Sequence, residues 1–63
     1  MDKEFQSAID TIIGGHLIHK GDTIELMDRG DGLWDVLVNN SRIFFAIDEI
    51  RINQLAGKKL VKA

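Results

Sequence analysis

The chain has 63 residues and a net charge of −2, which leaves room for one domain with a small hydrophobic core. It contains no cysteine, so disulfides and thiolate zinc sites are excluded. Residues 1–35 hold eight acidic and three basic side chains, and residues 36–63 hold two acidic and five basic ones, so only the second half could offer a basic surface.

The first predicted element is a helix over residues 2–13. Its apolar residues recur at the spacing of one helix face, and Asp2 suits the N-cap position. Gly14 and Gly15 would end the helix, because glycine readily takes the left-handed conformation found just after helices. We expect the helix to dock on the rest of the domain through three isoleucines: Ile9, Ile12 and Ile13.

Five short strands and a tail are predicted after the helix. Turn-forming residues separate runs that are rich in β-branched and aromatic side chains. The strands lie near residues 16–19, 22–28, 33–39, 42–47 and 50–54, and the tail covers residues 55–63. Strands 33–39 and 42–47 are apolar on both faces, so one face should cover the core and the other should meet the helix, a partner subunit or a ligand.

These elements predict an α+β fold that is mainly β: an N-terminal helix packed on a small five-stranded antiparallel barrel, in one domain over residues 1–63. Residues 20–26 hold a Gly-Asp turn and an alternating strand. After an acidic loop, residues 32–36 open the next strand with Trp34, and residues 47–52 supply a short turn and a last strand. This arrangement resembles the SH3-like barrels.

A second resemblance is to the Sm-like proteins, which place one helix before five short, bent strands. Residues 36–40 and 47–50 are similar to parts of the last three strands of that fold. The sequence contains no tyrosine, whereas proline-binding SH3 domains rely on tyrosines in their groove, so the resemblance does not imply polyproline binding.

One candidate site is a partner-binding surface around Trp34, the only tryptophan. Three acidic residues accompany it: Asp28, Asp31 and Asp35. An exposed tryptophan beside carboxylates would form a platform for a basic or aromatic partner. Alternatively, Trp34 is buried and is the largest residue of the core.

A second candidate site is a basic surface for nucleic acid. Its residues would be Arg42, Arg51, Lys58, Lys59 and Lys62. Such side chains bind phosphates, although a lysine-rich terminus also serves simply to keep a protein in solution.

Metal binding, cofactor binding and catalysis are not expected. His16 and His19 would point to opposite faces of a strand, which prevents them from sharing a metal ion. The loop acids do not have the spacing of a calcium loop. Neither serine has a histidine and an acid at the spacing of a catalytic triad, and the sequence has no phosphate-binding loop.

The sequence therefore favours a small non-enzymatic binding or regulatory module that acts on a protein partner, of the kind found among phage and mobile-element regulators and inhibitors. We also expect self-association as a dimer or small ring, because a chain this small cannot bury both faces of its strands. The alternatives are an Sm-like or SH3-like nucleic-acid binder and an oligomer that holds a small molecule between subunits. No signal peptide or membrane span is recognisable, so we expect a cytoplasmic location.

Overall fold

The structure is a computed structural model, and it describes residues 3–62. Within that range six strands precede one helix, α1. The elements are β1 (Lys3–Gln6), β2 (Thr11–Ile13), β3 (His16–Ile18), β4 (Thr23–Asp28), β5 (Trp34–Val38), β6 (Arg42–Ile47) and α1 (Glu49–Ala56).

The strands form two antiparallel sheets. One sheet has four strands in the order β1-β4-β5-β6, and the other is the hairpin of β2 and β3. The predicted five-stranded barrel with an N-terminal helix is therefore wrong. β1 and β6 are the two ends of the larger sheet and do not pair with each other, so the described sheet stays open and lacks the closure that both resemblances implied.

The predicted N-terminal helix is also wrong. Its described part, residues 3–13, contains β1 and β2, while the expected N-cap Asp2 lies outside the described residues. Ser7 lies in the connection between the two strands and is buried. Its N–H donates to the carbonyl of Asp22 at 2.8 Å, and its carbonyl accepts the N–H of Gly21 at 2.8 Å. These long-range bonds occupy backbone groups that a helix would have used locally.

The β2–β3 hairpin explains why the helical spacing was misleading. β2 consists of three consecutive β-branched residues, which favour a strand. Gly14 and Gly15 form the hairpin turn with φ angles of 55° and 79° instead of ending a helix. Of the three isoleucines expected to dock the helix, only Ile13 is buried, at 7% exposed; Ile12 is 60% exposed and Ile9 also lies at the surface.

Four predicted strands coincide with observed ones, and the fifth does not. β3, β4, β5 and β6 fall within the segments predicted near 16–19, 22–28, 33–39 and 42–47. Where a strand was expected at residues 50–54, the chain forms α1. Asp48 caps this helix by accepting the N–H of Arg51 at 2.9 Å, and Gly57 follows it with a φ of 70°.

The core lies between the larger sheet, the hairpin and α1. Its fully buried side chains are Ile18, Ile24, Leu26, Val36, Ile52 and Leu55. Asn53 fixes part of the predicted tail to α1: its Oδ1 accepts the N–H groups of Leu60 at 2.7 Å and Val61 at 3.0 Å, and its Nδ2 donates to the Val61 carbonyl at 3.0 Å. Among the described residues, no helix has the length and apolar character needed to cross a membrane.

Candidate functional site

The strongest candidate site is the free edge of β6. β5 pairs with one side of β6, and within residues 3–62 no strand pairs with the other side. The strand is six residues long, and two of its large apolar side chains, Ile43 and Phe45, are exposed. An edge of this kind presents unpaired backbone N–H and C=O groups to any chain that can lie beside it.

A β-bulge shapes this edge. The register changes from Val36 opposite Phe44 to Trp34 opposite Ile47, which leaves one extra residue on β6. Ala46 in the bulge has a φ of 58°, a left-handed conformation that costs a non-glycine residue roughly 1–2 kcal/mol. The bulge bends the strand, and Phe45, which directly precedes Ala46, is 66% exposed.

Asp35 holds the bulge in place from β5. Its Oδ1 accepts the N–H of Ala46 at 3.1 Å and the Nη1–H of Arg29 at 2.9 Å. The hydrogen bond from Arg29, helped by the one from Ala46, lowers the pKa of Asp35 from its ordinary value. The same contact raises the pKa of Arg29. Both groups therefore stay charged at neutral pH, and the strained backbone at Ala46 keeps its hydrogen-bond acceptor.

An apolar groove runs beside the edge, which we call the edge groove. It has a volume of about 380 Å³, and the hairpin forms one wall while β6 forms the other. The lining residues are Ile13, Gly14, His16, Arg42, Ile43, Phe44, Phe45 and Ile47. Phe44 packs close to Gly14, and its ring lies 5.7 Å from that of His16, so the floor of the groove is continuous with the core.

The residues predicted to bind a partner around Trp34 have mainly internal contacts. Trp34 is buried, at 8% exposed, so of its two interpretations the structure shows the core residue. Asp28 accepts the N–H of Gly30 at 2.8 Å, and Asp31 accepts the N–H of Leu33 at 3.1 Å. These bonds hold the turn between β4 and β5.

Arg29 connects this acidic loop to Asp35 of β5, which in turn accepts the N–H of Ala46 in β6. It bonds Asp35 as described, and its Nε lies 3.5 Å from the Oδ2 of Asp31. Two of the predicted acids, Asp31 and Asp35, are therefore brought together, but by an arginine of the same loop. Of the two, Asp35 contacts the bulge directly, through the N–H of Ala46.

The predicted basic surface is divided among different parts of the molecule. Arg42 lies at the start of β6, where its Nη1 is 3.2 Å from the Nε2 of His16. The guanidinium of Arg51 donates to the carbonyl of Ile12 at 3.2 Å, which ties α1 to the hairpin. Lys58, Lys59 and Lys62 are exposed in the segment after α1.

The sequence predicted that the two histidines would lie on opposite faces of one strand, but only His16 belongs to β3. β3 ends at Ile18, and the carboxylate of Asp22 then accepts the N–H of His19 at 2.8 Å. His16 and His19 consequently line one cleft. Among residues 3–62, no group of three or more His, Cys, Asp or Glu side chains has the geometry to hold a metal ion.

Sequence reasoning missed Phe45 and Arg29 as site residues. The signal for Phe45 was present, because Phe44 and Phe45 are adjacent in a strand and must point to opposite sides. Arg29 gave no comparable signal, since its pairing with Asp35 depends on how the β4–β5 turn folds back. Comparison of the chain with known protein families, curated proteins and solved structures found no match in any of the three.

Proposed function

We propose that this chain is a small non-enzymatic protein-binding module that takes up an extended segment of a partner protein along the free edge of β6. The observation that carries the proposal is the combination of an unpaired edge, an apolar groove beside it and an exposed phenylalanine above it. An extended segment fits because it can bond the edge backbone while its side chains enter the groove.

The difference between the two edges of the sheet supports this proposal. β1 is four residues long, and Lys3, Glu4 and Gln6 are exposed along it. Short length and charged side chains are the usual means by which proteins protect an edge from pairing. β6 is longer and exposes Ile43 and Phe45 instead. Within residues 3–62, the β6 edge is therefore less protected than the β1 edge over the stretch that precedes its bulge.

The bulge limits how a partner can bind. An added strand can follow the straight backbone over residues 42–44 before Ala46 turns the strand away. Three residues provide few backbone hydrogen bonds, each of which has a net value of about 1 kcal/mol. Apolar contacts with Phe45 and Ile43 must therefore supply much of the affinity, as aromatic anchors do in other interfaces.

A matched pair of surface variants tests the proposal. Random peptides displayed on phage are selected on the wild-type protein, and the selected peptides are titrated against Phe45→Lys and Ile50→Lys. Phe45 and Ile50 are 66% and 71% exposed, so both changes should leave the fold intact and add the same charge. We expect Phe45→Lys to weaken binding by about 2 kcal/mol or more and Ile50→Lys to leave it nearly unchanged.

Equal binding by the two variants would overturn the proposal, since the edge of β6 would then play no part. Sedimentation of the wild type and of Phe45→Lys measures self-association, and so shows whether a second copy of the chain occupies the edge of β6. Self-association that disappears in Phe45→Lys would assign the edge to a second copy of the chain instead of a partner's segment.

The nucleic-acid alternative receives less support from the geometry. Arg51 is engaged with the hairpin, and Arg42 and the three lysines lie in separate parts of the molecule. The regulatory role and the cytoplasmic location expected from the sequence stay predictions.

A further inference from the structure

A second depression lies next to the edge groove, and we call it the His–Arg cleft. Its volume is about 360 Å³, and it is bounded by β3 and the turn between β5 and β6. Arg42, His16, His19 and Ser41 supply polar side chains to it, and Leu17 and Phe44 supply apolar surface. Both depressions share three lining residues: Arg42, His16 and Phe44.

Arg42 and His16 are in hydrogen-bond contact in this cleft, and Arg42 must be the donor. A guanidinium has five N–H donors and no acceptor, so the Nε2 of His16, 3.2 Å away, must be the acceptor. Arg42 uses one donor in this contact, and no other side-chain hydrogen bond of Arg42 is found within residues 3–62, so its other donors can serve a ligand.

The carboxylate that lines the cleft is Asp22, and no ion pair joins it to Arg42 among the described residues. Within the described residues it pairs with His19, whose backbone N–H it accepts at 2.8 Å and whose Nδ1 lies 3.9 Å away. The hydrogen bonds from His19 and from the Asn39 side chain lower the pKa of Asp22, so this group is ionised and already engaged in the β3–β4 turn. The positive charge of Arg42 is left without a carboxylate partner in the cleft.

We infer that the His–Arg cleft binds an oxyanion, a carboxylate or a phosphate, through the guanidinium of Arg42 with His16 beside it. Guanidinium groups recognise both anions through paired hydrogen bonds. The anion can come from a free small molecule or from an acidic group on the segment that occupies the edge groove, since the two depressions meet at Arg42. Binding of a free small molecule does not depend on the proposed function, whereas binding of an acidic group on the partner's segment does.

The test uses acetate and inorganic phosphate as probes on isotope-labelled protein, with the Arg42 Nε–H and the His16 ring followed by NMR. We expect saturable shifts at both groups in the wild type. Arg42→Gln should weaken binding at least about tenfold, equivalent to about 1.4 kcal/mol. Lys59→Gln removes the same charge from an exposed position elsewhere and should bind like the wild type. Arg42→Lys keeps the charge without the paired donors and should give intermediate affinity, and it serves as the test if Arg42→Gln does not fold.

A second set of titrations distinguishes a free anion from an acidic group on the partner. It compares the phage-selected peptides with variants in which each acidic residue is replaced by its amide. Saturation by acetate or phosphate alone shows a site for free anions. Loss of Arg42-dependent affinity only in the amide peptides assigns the anion to the partner. Shifts that do not saturate, together with equal binding of every peptide by wild type and Arg42→Gln, would overturn the inference. Phe45→Lys should retain anion binding while losing peptide binding, so failure of the edge proposal and failure of this one give different results.

Discussion

Ile13→Ala should lower the free energy of unfolding by about 2–5 kcal/mol, whereas Ile12→Ala should change it by less than about 0.5 kcal/mol. Ile13 is 7% exposed and belongs to the core cluster, so its truncation leaves a cavity. Ile12 is 60% exposed on the outer side of the hairpin, opposite Leu17, and its truncation removes little buried surface. A loss at the upper end of the range for Ile13 would unfold much of a domain this small.

Chemical denaturation of the two variants beside the wild type measures this difference. The comparison is matched, because the residues are neighbours with the same side chain and differ only in the face they occupy. A helix over residues 2–13 would have buried both, so similar losses in the two variants would contradict the hairpin.

Gly57→Ala should lower the free energy of unfolding by about 2–5 kcal/mol through two separate effects. Gly57 ends α1 with a φ of 70°, a conformation that alanine adopts only with strain. A Cβ at this position would also lie 2.8 Å from the Cβ of Ala8, so the end of α1 and the β1–β2 connection would have to separate. The N–H of Ala8 donates to the carbonyl of Leu55 at 2.7 Å, and that bond would be strained as well.

Gly30→Ala is the control for this prediction. Gly30 has a φ of 83°, but a Cβ there would meet no atom within 4 Å. Its substitution should therefore show the backbone strain alone, about 1–2 kcal/mol. Thermal unfolding of both variants gives the comparison, and equal losses would show that α1 does not pack against Ala8.

The segment predicted as an N-terminal helix was mispredicted because two periodicities fit the same residues. Apolar positions at Ile9, Ile12 and Ile13 match a helix face, yet two of these three side chains are exposed. The deciding interactions are long-range: the bonds of Ser7 to Gly21 and Asp22 arise only when the chain has folded back on itself. The spacing of apolar residues along the chain does not reveal such contacts.

The C-terminal error has a different origin. Ile50 and Ile52 alternate as in a strand, but the buried residues of α1 are Ile52 and Leu55, one helical turn apart. Asp48 and Gly57 stand at the two ends as a suitable N-cap and C-terminal glycine. The signals for a helix are thus present in the sequence, and they outweigh the short apolar alternation.

The candidate site was partly predictable. The apolar character of both faces of residues 42–47 indicated a surface in need of a partner, and Ile43 and Phe45 are exposed there. The bulge, the support of Asp35 by Arg29 and the edge groove depend on how β5, β6 and the hairpin meet, which sequence spacing does not specify.

The most direct test of the central claim is an NMR structure of the wild-type protein in complex with a phage-selected peptide. We predict backbone-to-backbone contacts between the peptide and residues 42–44, together with slowed amide exchange on the free side of β6. The peptide should lie extended, with one apolar side chain against Phe45. A peptide bound at another surface, with the edge of β6 still open to solvent, would contradict the account.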